Sequence, residues 1–168
     1  MPEHASGGES PVRPAPGAVV AAARRYLGTP YHHQAALAGA GCDCLGLIRG
    51  VWRDLYGFEP EAPPPYTPDW GETGETEPML DAARRHLVEI GLGAAGPGDV
   101  VLFRLRPDAV VKHAAILSGR GRMVHAVSRD RVREVAMGAW WRGRAAAAFG
   151  WPDRQAGDGG RRNPPPRG

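Results

Sequence analysis

Apolar residues recur at helical spacing in the first half of the chain and alternate at strand spacing in the second. An Ala-rich stretch at 18–27, opened by Pro16-Gly17 and closed by Gly28, predicts a short helix, and Thr29-Pro30-Tyr31 breaks it. Residues 32–41 are small and polar and read as a loop. The strongest helix pattern is 43–56, where Cys44, Leu47, Ile48, Val51 and Leu55 share one face while Arg49, Arg53 and Asp54 lie largely elsewhere. Asp43 stands at the N-cap and Gly57 at the terminator. Residues 60–78 are Pro-rich and acidic, a surface loop, and 78–90 reads as a second amphipathic helix with Leu80, Ala83, Leu87 and Ile90 inward and Gly91 after it. Short β-type runs follow at 99–104, 113–118, 122–127 and 132–136, with a hairpin signal at Gly119-Arg120-Gly121. Residues 145–151 read as a last strand or, from their alanine run, as a helix. Helices first and an antiparallel sheet second make an α+β domain.

Length and composition trim that picture at its ends. The chain has 168 residues, enough for one domain. Residues 1–17 mix Pro, Gly, Ser and charge without an apolar period, and 152–168 hold no large apolar residue, so neither repays the entropy of ordering. The expected division is a flexible segment at 1–17, a folded domain at 18–151 and a disordered tail at 152–168. The formal charge of +3 does not point to nucleic acid, because Lys112 is the only lysine and the arginines lack interleaved aromatics or a recognised motif. The charge is also uneven: residues 54–77 carry seven acids and no Lys or Arg. No basic patch leads into a long apolar run, so neither a signal peptide nor a membrane span is expected, and synthesis in the cytoplasm follows.

Candidate chemistry centres on Cys44. It falls in the first turn of the 43–56 helix, where unpaired amides and the helix dipole favour negative charge and lower a thiol's pKa. It also lies on the apolar face, so a small buried core residue is an equal reading. Cys42 is one residue away; a disulfide across so short a loop is strained, and a small buried side chain is the reading for Cys42. If the hairpin pairs 113–118 with 122–127, the alternation sets His113 and His125 on one shared face. A thiol needs a base and the base needs a group that orients it, so Cys44, His113 and His125 have the types for nucleophile, base and orienter. The same side chains with Cys42 are also acceptable zinc ligands, the basis of a non-catalytic metal-binding alternative. Against it, Cys-x-Cys lacks the two-to-four-residue gap usual between zinc cysteines. Adjacent His32 and His33 point apart and carry no metal expectation. Trp52, Trp70, Trp140, Trp141 and Trp151 are open between sugar stacking and packing.

Five blocks in order carry a resemblance: Gly28-Thr29-Pro30-Tyr31, Gly41-Cys42-Asp43-Cys44-Leu45-Gly46-Leu47-Ile48, Pro97-Gly98-Asp99-Val100-Val101-Leu102-Phe103, His113-Ala114-Ala115-Ile116 and Met123-Val124-His125-Ala126. Together they resemble the NlpC/P60 family of cell-wall peptidases, and within it the phage-type branch of tail gene clusters and gene transfer agents. The resemblance implies a papain-like α+β fold, with Cys44 as nucleophile at a helix start, His113 as base and His125 as orienter. It implies Tyr31 beside the nucleophile, binding oxyanion or substrate, and Asp43 reading the substrate's free amine. The implied reaction is hydrolysis of the γ-D-glutamyl–diamino acid amide of peptidoglycan stem peptides, without cofactor or metal. Phage-like tail proteins are the implied partners, and the cell wall, reached in such a particle or at lysis, the implied place of action. An inactive tail component of the same fold is the remaining alternative. Leu45 departs from the family, most members of which carry Ser there, so any substrate contact of that hydroxyl is lost.

Overall fold

The structure, a computed structural model, describes residues 12–61 and 76–154. Most of the two terminal segments, most of the 60–78 loop and Trp70 therefore lie outside the described residues; at the inner ends of the termini, Val12 pairs with Arg154 in an isolated bridge and the Tyr56 hydroxyl donates to Pro152 O at 2.7 Å. The first helix, α1 (Pro16–Arg24), begins two residues before the sequence reading because Pro16 suits a first helical turn, and it ends at Arg24, leaving 25–27 as turn. Its buried side, Val19, Ala22 and Ala23, continues into the buried Tyr26. A two-residue hairpin, β1 (Ala36–Leu37) with β2 (Gly41–Cys42), interrupts the stretch read as loop; strands this short leave no alternating pattern to read. It delivers the chain to α2 (Cys44–Tyr56), whose boundaries match the sequence reading. Asp43 caps it by accepting the Gly46 amide at 2.7 Å, and Gly57 ends it with φ 82°. The turn after α1 packs closely on α2 at Gly50, where an added Cβ would lie 2.1 Å from the Tyr26 hydroxyl.

Helix α3 (Pro78–His86) stops short of the predicted end, and residues predicted to continue it form an edge strand, β3 (Val88–Ile90). The local pattern allows both readings. Tertiary pairing decides, because Val88 and Ile90 are β-branched and alternate, and they complete a ladder with the last strand. That strand, β8 (Ala145–Gly150), resolves the ambiguous alanine run as sheet: it is hydrogen-bonded on both sides, between β3 and β4. With β4 (Val100–Phe103), β5 (His113–Gly119), β6 (Arg122–Ala126) and β7 (Val132–Ala136), it makes an antiparallel sheet of order β3-β8-β4-β5-β6-β7.

The sheet is covered on both faces. Val100, Leu102, Ala114, Ile116, Val124 and Phe149 on one face pack against α1, α2 and α3. Val101, Phe103, Ala115, Met123 and Ala148 form a smaller cluster on the other, joined by Leu117, Val135 and Trp141, the last from the short helix α4 (Ala139–Arg142). The result is the expected α+β arrangement of N-terminal helices on an antiparallel sheet. No helix of the described residues is long and apolar enough to cross a membrane.

Candidate active site

The position of Cys44 follows from the turn before it. The Asp43 amide donates to Ala35 O at 3.1 Å, and the Asp43 carboxylate accepts the Gly46 amide through Oδ1 and the Gln34 amide through Oδ2, each at 2.7 Å. This leaves Asp43 only 2% exposed. Gly46 is required by the same packing: a Cβ there would sit 1.8 Å from Ala35 O, a distance no side chain tolerates. The Asp-Cys-x-Gly sequence is thus a device that pins the start of α2 against the 34–35 backbone and presents the residue between.

What Cys44 meets is the start of β5. Its Sγ–H donates to Lys112 O at 3.6 Å, and the amides of Ala114, Leu45 and Cys44 itself lie toward the sulfur. The partly buried thiol is therefore set against the backbone on either side of His113. Burial pushes its pKa up to about 12, aided by the Asp43 carboxylate, while the three amides oppose the rise. This corrects the sequence expectation of a lowered thiol pKa: the helix start contributes in the expected direction, but desolvation outweighs it.

The two histidines meet as the hairpin predicts, with one difference in register. Ile116 lies opposite Val124 and Leu117 opposite Met123, but an irregularity then brings Gly119, not Ser118, opposite Arg122. The displacement falls at the turn and leaves the pairing nearer the site unchanged. His113 and His125 are diagonal neighbours on one face, with His113 Nε2 2.9 Å from His125 Nδ1. Burial, with a smaller contribution from His125, pushes the His113 pKa down to about 3; burial also lowers that of His125, which is 5% exposed. At neutral pH, Cys44 and His113 are therefore a thiol and an uncharged imidazole.

Tyr31 is half-buried beside them. Its amide donates to Asp130 O at 2.9 Å, and Pro30 O accepts the Cys42 amide at 3.0 Å, which clamps this segment between the β7 approach and β2. Burial, then the charges of Cys44, Asp43 and Cys42, push its phenol up to about 12, so it stays a proton donor. Cys42 is fully buried and its thiol donates to Asp43 O at 3.1 Å, in keeping with the small-core reading. His32 packs against Gly41, and His33 lies 3.9 Å from Asp43 Oδ2. Among the described residues, no group of three or more His, Cys, Asp or Glu side chains is arranged to hold a metal.

Two features escape sequence reasoning. Leu45 lines an apolar pocket of about 350 Å³ with Ile48, Met79, Ala83 and Leu87, and this pocket reaches Ala114 beside the site. Trp141 stacks on the His113 ring, centroids 5.3 Å apart and planes at 28°. Its only sequence signal is the Trp140-Trp141 pair between two β-type runs. The other described tryptophans divide: Trp52 and Trp151 are core, with Trp151 Nε1 donating to Gly98 O, whereas Trp140 is 52% exposed.

Comparison with known proteins finds relatives of this chain. The model of the NlpC/P60 family matches residues 28–148. The gamma-DL-glutamyl hydrolase of Bacillus subtilis is 27% identical over 114 residues, which is 68% of this chain but 24% of that protein, so the chain spans about a quarter of the relative's length. Among solved structures, the NlpC/p60 domain of the peptidoglycan hydrolase SagA superposes with a TM-score of 0.57 at 26% identity, covering 81% of this chain and 98% of that one. NlpC2 from Trichomonas vaginalis superposes with a TM-score of 0.58 over 86% of this chain and 49% of its own; at 18% identity it speaks to the fold alone.

Proposed function

Because the chain belongs to the NlpC/P60 family, we propose that it is a cysteine peptidase that hydrolyses peptidoglycan stem peptides at the γ-D-glutamyl–diamino acid amide. The observation that carries the reading is the thiol of Cys44 lodged against the backbone flanking His113, with the His113 ring hydrogen-bonded to His125. The names of two relatives, a gamma-DL-glutamyl hydrolase and a peptidoglycan hydrolase, support the substrate class.

The mechanism follows from the protonation states. With His113 as the donor in its Nε2–His125 Nδ1 hydrogen bond, the Nδ1 lone pair of His113 is left to act as base. Since thiol and imidazole are both neutral at rest, the thiol proton passes to His113 as Sγ attacks the γ-carbonyl carbon. The oxyanion takes hydrogen bonds from the Cys44 amide and the Tyr31 hydroxyl. The C–N bond then breaks, and His113 returns the proton to the departing amine of diaminopimelate or lysine. Water, deprotonated by His113, cleaves the thioester and frees the γ-carboxylate and the thiol. Asp43 is assigned to the free amine of L-Ala, as the family resemblance implies, in addition to holding the Gly46 and Gln34 amides.

The test is a defined peptide, L-Ala–γ-D-Glu–diaminopimelate, with its products identified by mass spectrometry. Cleavage between the last two residues is expected, with a sharp loss of rate when the L-Ala amine is acetylated. Asp43→Asn should narrow that difference, because a carboxylate favours an ammonium over a neutral amide. Equal rates on free and acetylated peptide would remove Asp43 from the binding site. The proposal extends to delivery by a phage-like tail or gene transfer agent particle, supported by the Gly41-Cys42-Asp43-Cys44-Leu45-Gly46 block. The chain should then co-sediment with purified particles, and its absence from them would end that part.

A further inference from the structure

We propose that Trp141 is a positioning residue of this site, holding the His113 imidazole against His125 and stabilising the imidazolium that forms when the thiol proton arrives. The inference rests on the Cys44–His113–His125 reading. Its ground is where the indole lies. It stacks on His113 at 28° and meets His125 edge-on, with centroids 5.1 Å apart and planes at 81°. Its third neighbour is Phe103, at 5.0 Å and 68°. One ring therefore covers both imidazoles and the hydrogen bond that joins them, and shields that bond from water on this side.

A helix as short as α4 does not hold such a ring by itself; the contacts around it do. Arg144 stacks on Trp140 with its guanidinium carbon 3.8 Å from the ring centroid. It also donates to Trp140 O at 2.9 Å and Leu105 O at 3.3 Å. The Arg104 amide donates to Arg144 O, and the Met137 amide to Gly121 O, which fastens both ends of the α4 segment to the sheet. Trp140 packs edge-on against Trp141 at 4.8 Å. Trp140, itself held by Arg144, thus braces Trp141.

The physical consequence concerns charge. The face of an indole carries negative electrostatic potential and attracts a cation stacked on it. At rest His113 is neutral, so little of that attraction is used; in the transition state the ring becomes cationic and the attraction is realised there. An interaction stronger in the transition state than in the ground state raises kcat and leaves KM alone. Burial is the main effect that opposes protonation of His113, and the indole counters that desolvation.

Two variants separate this role from simple filling of space. Trp141→Leu keeps apolar cover but removes the π face; Trp141→Phe keeps a smaller π face. Kinetics on the tripeptide and an NMR titration of the His113 ring would be measured on each, with thermal unfolding to verify folding. Trp141→Leu should lower kcat by about tenfold, within the range of a desolvated cation–π contact, with KM unchanged and the His113 pKa below that of wild type. Trp141→Phe should restore most of both. Equal kcat and equal His113 titration in the Leu and Phe variants would overturn the proposal. Should the site reading itself fail, activity would survive Cys44→Ala, whereas the His113 titration still reports on Trp141 without any turnover.

Discussion

Cys44→Ala should abolish stem-peptide hydrolysis and leave the fold intact. Removing a covalent nucleophile costs on the order of 10⁶-fold in kcat, because attack and proton transfer are lost together. The fold should survive, since Ala is the strongest helix former and the α2 start is pinned by Asp43 and Gly46, not by the thiol. Cys42→Ala should show the reverse: activity largely kept and stability reduced, because Cys42 is fully buried and its thiol is hydrogen-bonded. In the folded protein, iodoacetamide should reach Cys44 and not Cys42, with a rate that climbs steeply with pH, as a thiol held near 12 requires. Activity retained by Cys44→Ala would remove the nucleophile from the account.

His113→Ala should be the second most damaging change, by about 10²–10⁴-fold, the usual contribution of a general base. His125→Ala should cost less, because His125 touches the base and not the substrate, holding Nε2 of His113 at 2.9 Å. The pH profile carries the same assignment. His113 acts only when neutral, and burial depresses its pKa from 6.5 to about 3. Its protonation should therefore not limit kcat/KM until well below pH 6.5, and the acid limb should lie on that side. A greater loss in His125→Ala would exchange the two roles.

Much of this site is legible in the sequence, for physical reasons that differ by residue. The 43–56 helix carries its own cap, apolar face and terminating glycine, so the place of Cys44 at its start needs no tertiary information. The meeting of His113 and His125 depends only on a short turn and the two-residue period of strands, which the bulge before Gly119 does not disturb. Val88–Ile90 is another matter: its strand state is decided by β8, more than fifty residues later in the chain. The alanine run of β8 is likewise sheet because both its edges are paired. The direction of the Cys44 pKa was equally out of reach, since the helix start is local but the burial that outweighs it comes from β5. Trp141 belongs to a four-residue helix without a period, and only the fold brings it over the histidines.

The most direct test of the central claim is digestion of purified peptidoglycan in ¹⁸O-water, by the protein and by Cys44→Ala, with mass spectrometry of the released fragments. Hydrolysis of a γ-glutamyl thioester puts the label in the γ-carboxyl of D-Glu and leaves a new free amine on the diamino acid, and the Cys44→Ala digest should contain neither fragment. Label in the lactyl carboxyl of the sugar would instead mark an amidase, and labelled fragments from Cys44→Ala would contradict the account outright.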